Sequence, residues 1–180
     1  MHWLPNFTFL DIETTGSPRI HDRVLEVALI KKENGQLSVK WETLINPDIS
    51  IPKQITDLTG ISDAMVKDAP AFKYIVGDLY GHLEGSIMVA HKSSFDYGFL
   101  KAEFKRLGAT LRQCTFCTAA LSRKLYPLAQ GHSLNAIMCR FGLTTKAHHH
   151  GMGDVQLMLD FLEAAKQELG SVTVLAAINA

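Results

Sequence analysis

Asp11 and Glu13 end an otherwise apolar run, Phe-Thr-Phe-Leu-Asp-Ile-Glu, and stand two residues apart. On a strand, that spacing sends both side chains to the same face. Two carboxylates on a largely buried strand repel each other unless a cation lies between them or water solvates the strand end. Asp96 follows a second apolar run, Ile87-Met88-Val89-Ala90, in the first turn of the expected next helix. Asp154 repeats the arrangement after a loop holding His148, His149, His150, Gly151 and Gly153. Taken singly, Asp96 and Asp154 fit acids that favour the positive end of a helix. Together with Asp11 and Glu13 they form an all-oxygen donor set suited to Mg²⁺ or Mn²⁺, whereas structural zinc would call for thiolates. The three histidines also fit a transition-metal site or a solvated loop.

Elements must carry these residues together. Residues 7–13, 24–32 and 39–45 read as strands joined by short turns, with Glu33-Asn34-Gly35 between the second and third, which suggests an antiparallel meander. Residues 70–84 carry a helical stripe of Phe72, Ile75, Val76, Leu79 and Leu83. Residues 86–90 form a short buried strand, and Ser93 and Ser94 are candidate caps for a helix running to Leu107. An extended stretch is expected near 110–116, with helices near 118–125 and 133–141. A last helix begins near Asp154 and stops at Gly170. The pattern describes one α/β domain, residues 1–180 with a core of about 7–170, built on a mixed five-stranded sheet. The end after Gly170 is short and apolar-leaning.

The 180 residues carry 18 basic and 18 acidic side chains, so a strongly cationic protein that coats DNA is excluded. An enzyme gripping only a strand end is allowed. Cys114, Cys117 and Cys139 cannot all pair; Cys114 and Cys117 form a CxxC without a second pair, and structural thiols are the expectation. No secretory leader or membrane-crossing run is evident, and a cytoplasmic setting is the simplest expectation.

Asp-Ile-Glu-Thr-Thr-Gly at 11–16, His-Lys-Ser-Ser-Phe-Asp at 91–96, and His149 five residues before Asp154 resemble the three exonuclease motifs of the DnaQ-like superfamily. The last spacing resembles its DEDDh branch. Residues 51–62, Ile-Pro-Lys-Gln-Ile-Thr-Asp-Leu-Thr-Gly-Ile-Ser, resemble a segment of the proofreading subunits of bacterial replicative DNA polymerases. The resemblance covers about residues 7–169. It implies an RNase H-like fold and metal-dependent 3′→5′ hydrolysis of nucleic acid, releasing 5′-mononucleotides, with proofreading or repair as the setting. It makes Asp11, Glu13, Asp96 and Asp154 ligands of two Mg²⁺ or Mn²⁺ ions. His149 becomes the general base, a role that suits an imidazole of ordinary pKa about 6.5. By family position, Thr14, Thr15, Leu58, His91 and Phe95 border the terminal nucleotide. Core packing is the competing reading for Leu58, Phe95 and Ile61, and turn hydrogen bonding for the threonines.

Lys92 stands where the family commonly has asparagine. Residues 156–161, Gln-Leu-Met-Leu-Asp-Phe, match a sliding-clamp docking pattern but fall within the last expected helix. The short C-terminal end lacks the polymerase-binding extension typical of proofreading subunits, which suggests a freestanding enzyme, another polymerase-contacting surface, or a homodimer. A single-stranded DNA 3′ end is favoured over RNA because Thr14 stands where short-RNA degraders usually have methionine. The alternatives are a 3′→5′ exoribonuclease trimming RNA or tRNA ends, a non-catalytic nucleic-acid or polymerase-binding module, and an RNase H-type endonuclease that would not need His149.

Overall fold

The computed structural model describes residues 6–144 and 151–179. Strands β1 (Phe7–Thr14), β2 (Val24–Glu33) and β3 (Gln36–Leu44) form the expected antiparallel meander. Asn34 and Gly35 turn β2 into β3 with φ of 52° and 81°, the left-handed pair that a tight two-residue hairpin needs. β4 (Ile87–Ala90) lies parallel to β1, and β5 (Thr115–Cys117) parallel to β4. The sheet order is β3-β2-β1-β4-β5, a mixed five-stranded sheet as the sequence suggests.

Helices cover both faces. On one face, α3 (Phe72–Leu83) and α4 (Ser93–Arg106) bury Phe72, Leu79, Phe99 and Phe104 against Leu10, Ile12 and Leu29. On the other, α7 (Gly151–Leu169) lays Val155, Met158 and Phe161 over Phe9, Ala28 and Ile30. α5 (Thr118–Leu125), α6 (Leu134–Phe141) and α8 (Ser171–Asn179) complete that layer. β2 is covered on both sides, which is why it reads as a continuous apolar run and not an alternating one.

Several local expectations are corrected. Ser93 and Ser94 do not cap α4; the capping position is Lys92, in the left-handed region at φ 66°, with no side-chain cap hydrogen bond. The strand expected near 110–116 is only the three residues of β5. α7 is described from Gly151, three residues ahead of Asp154, and the short apolar-leaning end after Gly170 forms a further helix, α8. The segment after the meander holds two short helices, α1 (Lys53–Thr59) and α2 (Asp63–Val66). The docking-like residues 156–161 lie within α7, with Leu157, Met158, Leu159 and Phe161 buried. The three thiols are free, as expected of structural cysteines, and Cys117 ends β5 just ahead of α5.

A buried ion cluster fastens α4 to the turn that follows β1. Glu103, 1% exposed, pairs with Arg23 at 2.8 Å and Arg106 at 3.0 Å. Its carboxylate also accepts from the Val24 amide. Arg106 in turn donates to the carbonyls of Arg19, Ile20 and Asp22. Glu103→Ala strands two guanidinium groups that are partly solvated, so it should cost about 2–3 kcal/mol in urea denaturation, at the low end for breaking a buried pair. A loss below ~0.5 kcal/mol would show that the cluster does not hold this turn.

Candidate active site

The side-chain alternation of β1 sends Leu10 and Ile12 into the α3/α4 core and Asp11 and Glu13 to the face that α7 covers. Across the hairpin, Asp11 pairs with Ala28 and Glu13 with Glu26. A register shift follows between Glu13 and Thr14, a device that re-aims side chains where a strand leaves its sheet. The pairing of β1 with β4 runs only from Phe7↔Ile87 to Phe9↔Val89. Beyond it, Asp96 stands buried in the first turn of α4. Asp154 stands in the first turn of α7, whose apolar face fixes it over β1 and β2.

The electrostatics of this arrangement are severe. Burial, and then the charges of Asp96, Asp154, Glu13 and Glu26, push the Asp11 carboxyl well above its ordinary range. Burial followed by Glu26, Asp154 and Asp96 pushes Glu13 up to about 8. Burial carries Asp96 to about 7 against the opposing pull of the backbone amides at Asp96 and Ile12. Acids from β1, α4 and α7 thus lie within one another's field. They are not drawn into a closed cage: among the described residues, no group of three or more His, Cys, Asp and Glu side chains is placed to hold an ion. The donor chemistry, buried carboxylate oxygens in mutual repulsion, fits a hard divalent cation, which would screen the repulsion.

The remaining residues singled out from the sequence fall as follows. His149, with its neighbours His148 and His150, lies outside the described residues. Thr14 donates to the Gly16 carbonyl at 2.7 Å. Thr15 is 1% exposed; its hydroxyl donates to Asp22 and accepts from the Arg23 amide, and its own amide donates to the Arg23 carbonyl. His91 Nδ1 lies 3.0 Å from the Thr118 hydroxyl. Burial, reinforced by Lys92 and Arg123 and opposed by the nearby backbone of His132, lowers His91 to about 4, so its ring is neutral near pH 7. Phe95 is half-buried and packs on Phe99, ring centroids 4.9 Å apart. Leu58 is 58% exposed on α1, while Ile61 is a core residue.

Sequence reasoning missed Glu26. It is 5% exposed and accepts the Gly151 amide at 3.0 Å. Its only signal in the sequence is one charge within the apolar run Val24–Ile30, and its position opposite Glu13 needs the hairpin register.

This fold has counterparts among known proteins. The exonuclease family model RNase_T matches residues 8–162. The chain belongs to that exonuclease family, whose enzymes act with divalent metal ions. A PolC-type DNA polymerase III of Caldanaerobacter subterraneus subsp. tengcongensis is 34% identical over 172 residues, covering 93% of this chain and 12% of the relative. The 3′-5′ exonuclease DinG of Bacillus subtilis is 34% identical over 167 residues, covering 89% of this chain and 18% of the relative. The chain therefore spans less than a fifth of either relative. Among solved structures, exonuclease X bound to 5′ overhanging duplex DNA superposes with TM-score 0.69 at 24% identity, covering 91% of this chain and 93% of that one. A zinc-bound E. coli exonuclease I–single-stranded DNA complex gives TM-score 0.84 at 15% identity, covering 94% and 42%. These likenesses show the RNase H-like exonuclease fold.

The raised carboxyls set a pH dependence. Asp11, Glu13 and Asp96 all hold protons more tightly folded than unfolded; the contribution of Glu13 and Asp96 to stability is full below about pH 4 and lost as pH rises through about 7–8. In EDTA, the melting temperature should fall between about pH 5.5 and pH 8.5, and Glu13→Gln should flatten that fall. Added Mg²⁺ should raise it more at the higher pH, where fewer protons compete. A metal-free melting temperature that climbs across this window, unaltered by Glu13→Gln, would contradict the assignment.

Proposed function

We propose that this chain removes nucleotides from the 3′ end of single-stranded or frayed DNA by phosphodiester hydrolysis, releasing 5′-mononucleotides in proofreading or repair. The observation that carries the reading is Asp11, whose carboxylate lies in the field of Asp96, Asp154, Glu13 and Glu26. Three segments distant in sequence direct acids to one strand end, and such convergence serves no packing purpose. Mg²⁺ or Mn²⁺, two ions held by Asp11, Glu13, Asp96 and Asp154, would supply an activated water and stabilise the leaving 3′-oxygen.

The protein's own groups do the rest. His149, five residues before Asp154, would accept the proton of the attacking water on its neutral imidazole. Exposed Leu58 suits packing on a terminal base, while His91, its Nδ1 engaged by the Thr118 hydroxyl and its Nε2 buried, would border the nucleotide as an uncharged ring held in place by α5. Thr14 adjoins Glu13 and would meet the 3′-hydroxyl. Thr15 acts by bracing the turn, since its donors are engaged there. Phe95, one residue before Asp96 and packed on the α3/α4 core, would border the terminal nucleotide. The zero net charge suits a grip on a strand end over a long duplex footprint. Relatives named as DNA polymerases, and neighbours crystallised with DNA, support DNA over RNA. A polymerase partner or a second copy of the chain is compatible with this reading. A cytoplasmic setting accords with the three free thiols.

With a 3′-labelled oligonucleotide, Asp11→Asn should lose detectable hydrolysis together with Mn²⁺ affinity measured by calorimetry. His149→Ala should lower turnover by about 10²–10⁴-fold while retaining most of that affinity. Linear single-stranded DNA should be cut faster than RNA of the same sequence, and circular DNA not at all. Full activity in Asp11→Asn, or cleavage of the circle, would refute the proposal.

A further inference from the structure

Glu26 belongs to none of the roles above, yet the fold meets a large cost to keep it. On β2 it is flanked by buried Val24, Leu25, Val27 and Ala28 and is itself 5% exposed. It faces Glu13 across the hairpin, so its charge adds to a repulsion already present there. A buried carboxylate is costly unless donors meet it, and one that also opposes its neighbours needs a compensating task.

That task is visible at Gly151. The Glu26 Oε2 accepts the Gly151 amide at 3.0 Å, a contact spanning 125 residues of chain. Gly151 is the first residue of α7, and the first amides of a helix have no partner within it. A carboxylate borrowed from β2 therefore caps α7, where the helix dipole also favours a negative charge. The approach is close on both sides. A Cβ on Gly151 would come within 2.9 Å of the Ala28 Cβ and 3.1 Å of the Glu26 Oε2. Glycine at 151 and alanine at 28 thus let the end of α7 sit directly on the strand beside Glu13. Asp154 follows three residues later, about 4.5 Å along the helix axis.

We infer that Glu26 is a positioning residue, which pins the first turn of α7 to β2 and so sets the Asp154 carboxylate against Asp11 and Glu13. The role rests on the exonuclease reading above, and the hydrogen-bond acceptor, not the charge, performs it. In this scheme a change at 26 reaches Asp154 through Gly151, so it acts on metal use and turnover more than on substrate binding.

The test compares Glu26→Ala, which removes the acceptor, with Glu26→Gln, whose amide oxygen keeps it. For single-stranded DNA, Glu26→Ala should lower kcat by about 10–100-fold and raise the Mn²⁺ requirement by a similar order, with KM moving less than about threefold. Glu26→Gln should recover activity to within about fivefold of the unaltered protein. Amide hydrogen exchange at Gly151, read by NMR without substrate, should quicken in Glu26→Ala and stay slow in Glu26→Gln. If Glu26→Ala does not fold, Gly151→Ala tests the same contact from its other side and should lower kcat with Glu26 intact. Unchanged kcat in Glu26→Ala, equal losses in the alanine and glutamine variants, or full activity in Gly151→Ala would each overturn the inference. If the unaltered protein degrades no 3′ end, the exonuclease reading fails instead, and Gly151 exchange still decides the role of Glu26: equal protection in both variants overturns it.

Discussion

Placing an ionised carboxylate out of water costs several kcal/mol unless hydrogen bonds or opposite charge repay it. This chain places Asp11, Glu13, Glu26, Asp96 and Asp154 within reach of one another's charge at one end of the sheet's central strand. The elements around them serve to meet that cost in part: backbone amides of Ile12 and Asp96 serve one acid, and the start of α7 serves another. What remains, carboxyls held well above their ordinary range, is the part a divalent cation is suited to discharge. Binding energy of that origin couples metal uptake directly to the stability of the fold.

Rigid construction elsewhere lets the protein carry this strain. The meander buries β2 on both faces, so the strand presenting Glu26 is fixed in register with the strand presenting Asp11 and Glu13. α7 is held by a long apolar face, and α4 by both its core residues and the Glu103 cluster beneath the turn after β1. Each acid thus stands at the end of an element whose far portion is locked in core. A one-residue slip of β1 would turn Asp11 and Glu13 into the α3/α4 layer, and the apolar pattern forbids it.

The acids at 11, 13, 96 and 154 were legible in the sequence because each stands at the boundary of an apolar run, where position is local information. Glu26 was not, because its meaning depends on which residue of β1 lies opposite and on a helix 125 residues away. Capping misled for α4: two serines offered side-chain oxygens, but Lys92 takes the left-handed conformation and turns the chain without them. α8 went unread because its nine residues are mostly apolar around the whole helix, leaving no stripe to detect. Leu58 and Ile61, three residues apart in the same segment, look alike in sequence and differ wholly in exposure. Only the packing of α1 and α2 against β2 separates them, with Ile61 joining Leu25, Ile51 and Val66.

Family membership accounts for the fold, and the chain spans less than a fifth of the larger relatives it matches. The account depends most on the acids sharing cations. Crystals grown with Mn²⁺ and measured for anomalous scattering test this directly. The account predicts strong peaks with carboxylate oxygens of Asp11 and its neighbours within about 2.1–2.3 Å. A fully ordered strand end with the five acids in place and no peak among them would contradict it.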